Sequence, residues 1–174
     1  MASPKNDITV EFVRSTFYYD TKTGDLFWKK SLPHRSKGFG GNTRGGRIAG
    51  QICSDGYRYI KIGKRSYLAH RLAYLHKNGE WPIAQIDHVA NNTLDNRNIR
   101  PANNSQNGFN RGKQKNNTSG FKGVSYDKRS GKWRASIQAY GKPQELGLHK
   151  TKKDAYSAYC EAAKRLHGEF VNLG

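Results

Sequence analysis

Apolar and polar positions change period several times along the chain, and each change marks an element. From Asp7 to Thr16, Val10 and Val13 or Phe12 suit the apolar side of a short helix. FYYDTKTGDLFWKK then places aromatic runs on either side of Asp20-Thr21-Lys22-Thr23-Gly24, with the glycine late in the loop, which predicts a β-hairpin. Ser36 to Gly46 is rich in Gly and Arg and reads as a loop. In GYRYIKIGKRSYLA, Arg58, Ile60 and Ile62 alternate with Tyr57, Tyr59 and Lys61, and Gly63-Lys64 supplies the turn of a second hairpin. The spacing of Leu72 and Leu75 predicts a helix over Ala69 to Asn78, ended by Gly79. Pro101 suits the first turn of a further helix, on which Asn103, Asn107 and Asn110 share a face.

The last third of the chain is patterned more cleanly. Phe121 to Tyr126, Lys132 to Tyr140 and Gln144 to His149 read as three strands. Asp127-Lys128-Arg129-Ser130-Gly131 and Gly141-Lys142-Pro143 make the turns between them. A helix follows from Lys152 to about His167, with Thr151 as N-cap, Asp154 three residues on and Gly168 as terminator. Ala155, Ala158, Tyr159, Ala162 and Leu166 form its apolar stripe, and His167 falls at the end where the helix dipole favours a cation. A three-stranded antiparallel sheet packed on one helix is expected here, with Trp133 turned toward the helix. RGKQKNNTSG lacks apolar periodicity and reads as a linker. The expected division is a domain over 1–110, a linker over 111–119 and a second domain over 120–174.

Charge changes the picture. The 174 residues carry 31 Lys and Arg against 13 Asp and Glu, a net charge of +18. Residues 111–174 hold half of that excess in little more than a third of the length. Solubility needs far less, so the expected partner is a polyanion, and nucleic acid leads over a ribosomal or anionic-membrane role because each Lys or Arg that meets a phosphate releases counterions. No run of about 18–20 apolar residues is present, so a membrane span is not expected. MASPKNDITVEF lacks the layout of a secretory signal, which predicts a cytoplasmic chain. Cys53 and Cys160 stand far apart without a CxxC, which argues against a disulfide scaffold and a thiolate zinc finger. Ten Tyr, seven Phe and three Trp among the aliphatic residues argue against disorder.

Chemistry concentrates in IDHVANNTLDNRNIRPANNSQNGFN, from Ile86 to Asn110. Hydrolysis of a phosphodiester with one metal needs a hard cation on oxygen ligands, a base for the water and cover for developing charge. Asp87 offers a carboxylate, Asn107 an amide oxygen and His88 a base that titrates near neutrality. By spacing alone the Asp-His pair also suits a structural role, and Asn-rich loops also supply turns.

Tyr67-Leu-Ala-His-Arg-Leu-Ala-Tyr74, Gly79-Glu-Trp-Pro82, Ile86-Asp-His88, Leu94-Asp-Asn-Arg97 and Asn98-Ile-Arg-Pro-Ala102 with Ser105-Gln-Asn107 together resemble the phage and mobile-intron members of the HNH endonuclease family. The resemblance spans roughly residues 15–112. It implies a ββα-metal arrangement in an α+β chain, with His88 as general base and Asp87 and Asn107 as ligands of one divalent ion, Mg²⁺ with Mn²⁺ as substitute. Asn98 would hold the loop that aims the histidine, and His70 and Arg71 would give structural support or touch phosphate. Arg97 runs directly into Asn98, two residues sooner than in the pattern, which bears on where Asn98 falls. From Thr118-Ser-Gly-Phe-Lys-Gly-Val-Ser125 through Gly131-Lys-Trp-Arg-Ala135 and Leu146-Gly-Leu148, the chain resembles the plant Apetala-two/ethylene-response-factor DNA-binding domain. That resemblance implies a sheet laid into the major groove, with Lys122, Tyr126, Lys128, Arg129, Lys132, Arg134 and Gln138 as contacts. Arg134 and Gln138 share one strand face and could read base edges, or neutralise phosphate as the lysines are expected to do. The resemblances imply a DNA endonuclease of homing or mobile-element type acting on double-stranded DNA, a monomer or weak dimer with no small-molecule cofactor. The competing reading is a DNA-binding protein whose nuclease site has decayed.

Overall fold

The structure, a computed structural model, describes residues 6–29 and 46–174. Residues 36–45 of the expected Gly- and Arg-rich loop lie outside them. The chain divides into two compact units, one ending at Pro101 and one covering Ala102–Gly174. The fold is α+β.

In the first unit, α1 (Val10–Thr16) begins at Val10 because Thr9 Oγ1 accepts from the Phe12 amide at 3.2 Å, satisfying one of the orphan donors of the first turn. The aromatic hairpin forms as expected, pairing β1 (Phe17–Tyr19) with β2 (Leu26–Trp28). A second antiparallel sheet has the order β3 (Gln51–Ile52), β4 (Arg58–Ile62), β5 (Arg65–Leu68). It runs straight into α2 (Ala69–Asn78), which ends at Gly79 in the left-handed region. Val13, Phe17, Leu26, Ile60, Leu72 and Leu75 close one core between these elements. Each such side chain stabilises by about 1.5–3 kcal/mol on burial, which lets so polar a chain hold a fixed frame.

That frame carries the two-stranded sheet of β6 (Gln85–His88) and β7 (Ile99–Ala102). Pro101 lies in β7 and not in the first turn of a helix. In a two-stranded ribbon each strand has an unpaired edge, so the missing N–H of proline is tolerated there. The helix starts later, as α3 (Asn104–Asn110) in the second unit, because Asn103 and Gln106 form a reciprocal capping box.

The rest of the second unit is a sheet of order β10-β9-β8, built from β8 (Val124–Asp127), β9 (Lys132–Ala139) and β10 (Lys142–His149), packed on α4 (Lys152–His167). The second turn is tighter than expected: Tyr140 and Gly141, both at positive φ, make the whole connection. Pro143 consequently sits inside β10, which tolerates it as an edge strand. Val124, Ala135, Ile137 and Ala139 are buried on the inner face of the sheet. Gly123 takes φ +71°, and a Cβ there would lie 2.1 Å from the Tyr159 ring, so only glycine lets α4 lie this close. Trp133 packs on the helix side, as its alternation predicts. His167 is not an exposed cation. It is buried, burial keeps its imidazole below the ordinary pKa, and its Nε2–H donates to the Gln138 carbonyl at 2.9 Å. Among the described residues no helix is long and apolar enough to cross a membrane.

Candidate active site

The end of β6 delivers Asp87 and His88 side by side, both buried. From β7, Arg100 holds the Asp87 carboxylate: Nε and Nη2 each lie 2.9 Å from Oδ2. Two charge-assisted contacts converging on one oxygen anchor that oxygen in place. The loop between the strands is closed by the backbone, with the Val89 amide donating to the Asn98 carbonyl at 3.1 Å and the Asn91 amide to that of His88 at 2.8 Å. Asn98 acts on the loop through this carbonyl and is itself exposed.

The side chain that meets the histidine ring is Asn96, buried, with Oδ1 3.3 Å from His88 Nε2. Its amide orientation is decided elsewhere: Asn96 Nδ2 donates to the Gly24 carbonyl at 3.1 Å. Oδ1 is therefore the acceptor, Nε2 of His88 carries the proton, and Nδ1 holds the lone pair. Burial pushes the His88 imidazole below its ordinary pKa, while Asn96 and Asp87 act in the opposite direction. The ring is neutral at neutral pH, which is the state a base requires.

Behind it stands His70 of α2, its ring 5.0 Å from that of His88 and edge to face with it. Burial, then the neighbouring His88 and Arg71, pull the His70 pKa down to about 3. Tyr57 completes the packing, 5.5 Å from the His70 ring and 6.3 Å from that of His88. Arg71 is buried and donates to the Ala84 and Pro82 carbonyls, bracing the turn that leads into β6.

Residues 67–108 match the family model for HNH endonucleases. No curated protein and no solved structure matches the chain. The HNH segment covers Asp87, His88, Asn96, Arg100 and Asn107, and it leaves out both the N-terminal hairpin and the sheet-and-helix of the second unit. HNH nucleases work with one divalent metal. In the first unit the Asp87 carboxylate, beside imidazoles that add no positive charge, is a donor that suits a hard ion. Among the described residues no group of three His, Cys, Asp or Glu could hold a metal. An ion bound here would therefore rely on water and phosphate for most of its coordination, as Mg²⁺ commonly does. Asn107 lies on α3, in the second unit.

The candidate DNA contacts divide by face. Lys132, Arg134 and Gln138 alternate along the outer face of β9, and Lys128 and Arg129 stand exposed in the turn before it. Tyr126 pairs with Trp133 across β8 and β9, ring to ring at 5.1 Å, so it belongs to the helix side of the sheet. Lys122 also points away from the outer face. Its ammonium donates to the carbonyls of Phe109, Arg111 and Asn172 at 2.9, 2.5 and 2.8 Å, the geometry of an internal strut. Burial lowers its pKa to about 8, so it remains charged at neutral pH.

Sequence reasoning missed Asn96, Arg100 and Gly24. Asn96 sits within Leu94-Asp-Asn-Arg97 and was available as a signal. Arg100 stood in the Asn98-Ile-Arg-Pro-Ala102 motif, but the strand that pairs it with β6 was not read from the sequence. Gly24, 72 positions from Asn96, offered no local clue.

Proposed function

We propose that the chain is a metal-dependent DNA endonuclease of the HNH class. The observation that carries this reading is the buried Asp87-His88 pair, with the His88 tautomer set by Asn96, inside a segment that matches the HNH endonuclease family. His88 Nδ1 accepts a proton from the attacking water, a contribution typically of about 10²–10⁴-fold. Asn96 keeps that nitrogen unprotonated and the ring fixed. Asp87 and Asn107 would hold a divalent ion, Mg²⁺ or Mn²⁺, and Arg100 orients the Asp87 carboxylate. When bound, the ion supplies electrostatic cover for charge developing on the phosphate and the leaving oxygen. Asn98 shapes the loop.

The second unit supplies affinity for duplex DNA, in the manner of the Apetala-two-like domains it resembles. Lys128, Arg129 and Lys132 suit phosphate, and Arg134 and Gln138 suit base edges. A homing or mobile-element role, acting as a monomer or weak dimer in a host cytoplasm, accords with that combination.

The test is incubation with supercoiled plasmid in Mg²⁺ or Mn²⁺, with EDTA and His88→Ala controls. The expected result is conversion to nicked or linear DNA that both controls abolish. Binding without any cutting would favour the second reading, a DNA-binding protein with a decayed site, for which the loop two residues short of the family pattern is the supporting observation.

A further inference from the structure

The second unit holds a groove of about 750 Å³ between α3 with the segment after it and the Gln138 end of the sheet. Apart from Phe109, Val124, Ile137 and Tyr159, its lining is polar side chains and glycine. Sites of this volume built for small ligands are lined mainly by apolar groups, so the chemistry here is different. No acidic residue lines it, while Arg111, Lys113, Asn104, Gln114 and Gln138 do. The opposite end of the outer face is not acid-free. Arg134 lies 3.5 Å from Asp127 and 3.8 Å from Glu145, and Lys132 stands opposite Asp127 in the register. Those cations already have anions beside them, whereas a phosphate entering the groove meets positive charge alone.

The helix forming one wall adds a second argument. Asn104, Ser105 and Gly108 of α3 face the groove. At 100° per residue Asn107 lies about 60° around the helix from Asn104, beside the edge of that face. A strand lying against Asn104 therefore passes within one helical turn of the candidate metal ligand. We propose that this groove is the principal DNA grip of the second unit. In it the sugar-phosphate backbone lies against Arg111 and Lys113, and Gln138 and Asn104 are turned to the nucleotide edges. This rests on the nuclease reading and moves the centre of binding away from Arg134, toward α3.

The test uses the full chain without metal and a fluorescein-labelled 30-bp duplex of random sequence, read by anisotropy at several salt concentrations. Arg111 is exposed and only its backbone carbonyl is engaged by Lys122, so its side chain can be changed without unpacking the unit. Arg111→Ala is expected to weaken binding about tenfold and to lower the salt slope by about one. Arg111→Lys should recover most of the loss, and Arg134→Ala should cost less than Arg111→Ala. Unchanged affinity and slope in Arg111→Ala and Lys113→Ala, with wild type binding DNA normally, would overturn the groove and leave the nuclease reading intact. A wild-type chain that binds no DNA would overturn both. Circular dichroism melts of each variant separate lost contact from lost fold.

Discussion

The Asn96 amide has one arrangement open to it, Nδ2 toward the Gly24 carbonyl and Oδ1 toward His88. Removing it frees the ring to rotate and to change tautomer. Asn96→Ala is expected to cut plasmid cleavage about 10–100-fold while DNA affinity stays constant, since groups that orient a site carry effects of that size. Equal loss of binding would instead mark a structural role. His70 makes a stability prediction. Its folded pKa of about 3 lies below the unfolded value near 6.5. Below pH 6.5 the unfolded chain takes up a proton that the folded chain refuses, so stability is lost as pH falls toward 3. Each unit of pH in that window costs about 1.4 kcal/mol, so His70 should account for roughly 2 kcal/mol between pH 6.5 and pH 5. Denaturant unfolding at pH 7.5 and pH 5 measures this, and His70→Leu should flatten that part of the difference. Neither residue role was readable from types alone, because an amide's orientation and a histidine's burial are set by groups distant in sequence.

At the scale of elements, the N-terminal hairpin does more than fill the core. Besides the Gly24 carbonyl, Tyr19 donates to the Asn96 carbonyl at 3.1 Å and the Lys22 carbonyl accepts from Arg97 at 3.3 Å. Gly24 has φ +78°, and a Cβ there would come within 2.7 Å of the Arg97 nitrogen. Gly24→Ala should therefore displace the loop that aims His88, costing about 1–3 kcal/mol by denaturant melt and slowing cleavage along with it. In the second unit, Lys122→Met would leave three carbonyls without their donor. A loss of about 2–4 kcal/mol is expected, read as a lower unfolding midpoint. Most elements were legible. The two aromatic-flanked turns, α2 and the capped α4 follow from local period and punctuation, and they form where the pattern puts them. The exceptions are informative. Pro101 and Pro143 read as helix start and turn, yet both lie in strands, because a proline's fixed φ suits several conformations and the neighbouring cap or turn decides among them.

For the whole molecule, a net charge of +18 predicts steep salt dependence of DNA binding. If six or more phosphates are met, affinity should fall by about 10³-fold or more between 50 and 200 mM salt. An anisotropy titration across that range checks it, and a nearly flat response would mean that the charge serves something other than a phosphate backbone. Charge, the Asp87-His88 pair, the hairpins and the sheet-on-helix pattern were determined by sequence alone, since each depends on residue type and short-range spacing. Tertiary structure alone decided that Asn96 faces the ring of His88, that Gly24 orients that amide, that Arg100 holds Asp87, and that Lys122 is an internal strut. The physical reason is the same in each case. A hydrogen bond between residues 8 to 72 positions apart leaves no periodic trace in the chain, and it exists only once the packed core has brought the two backbones together.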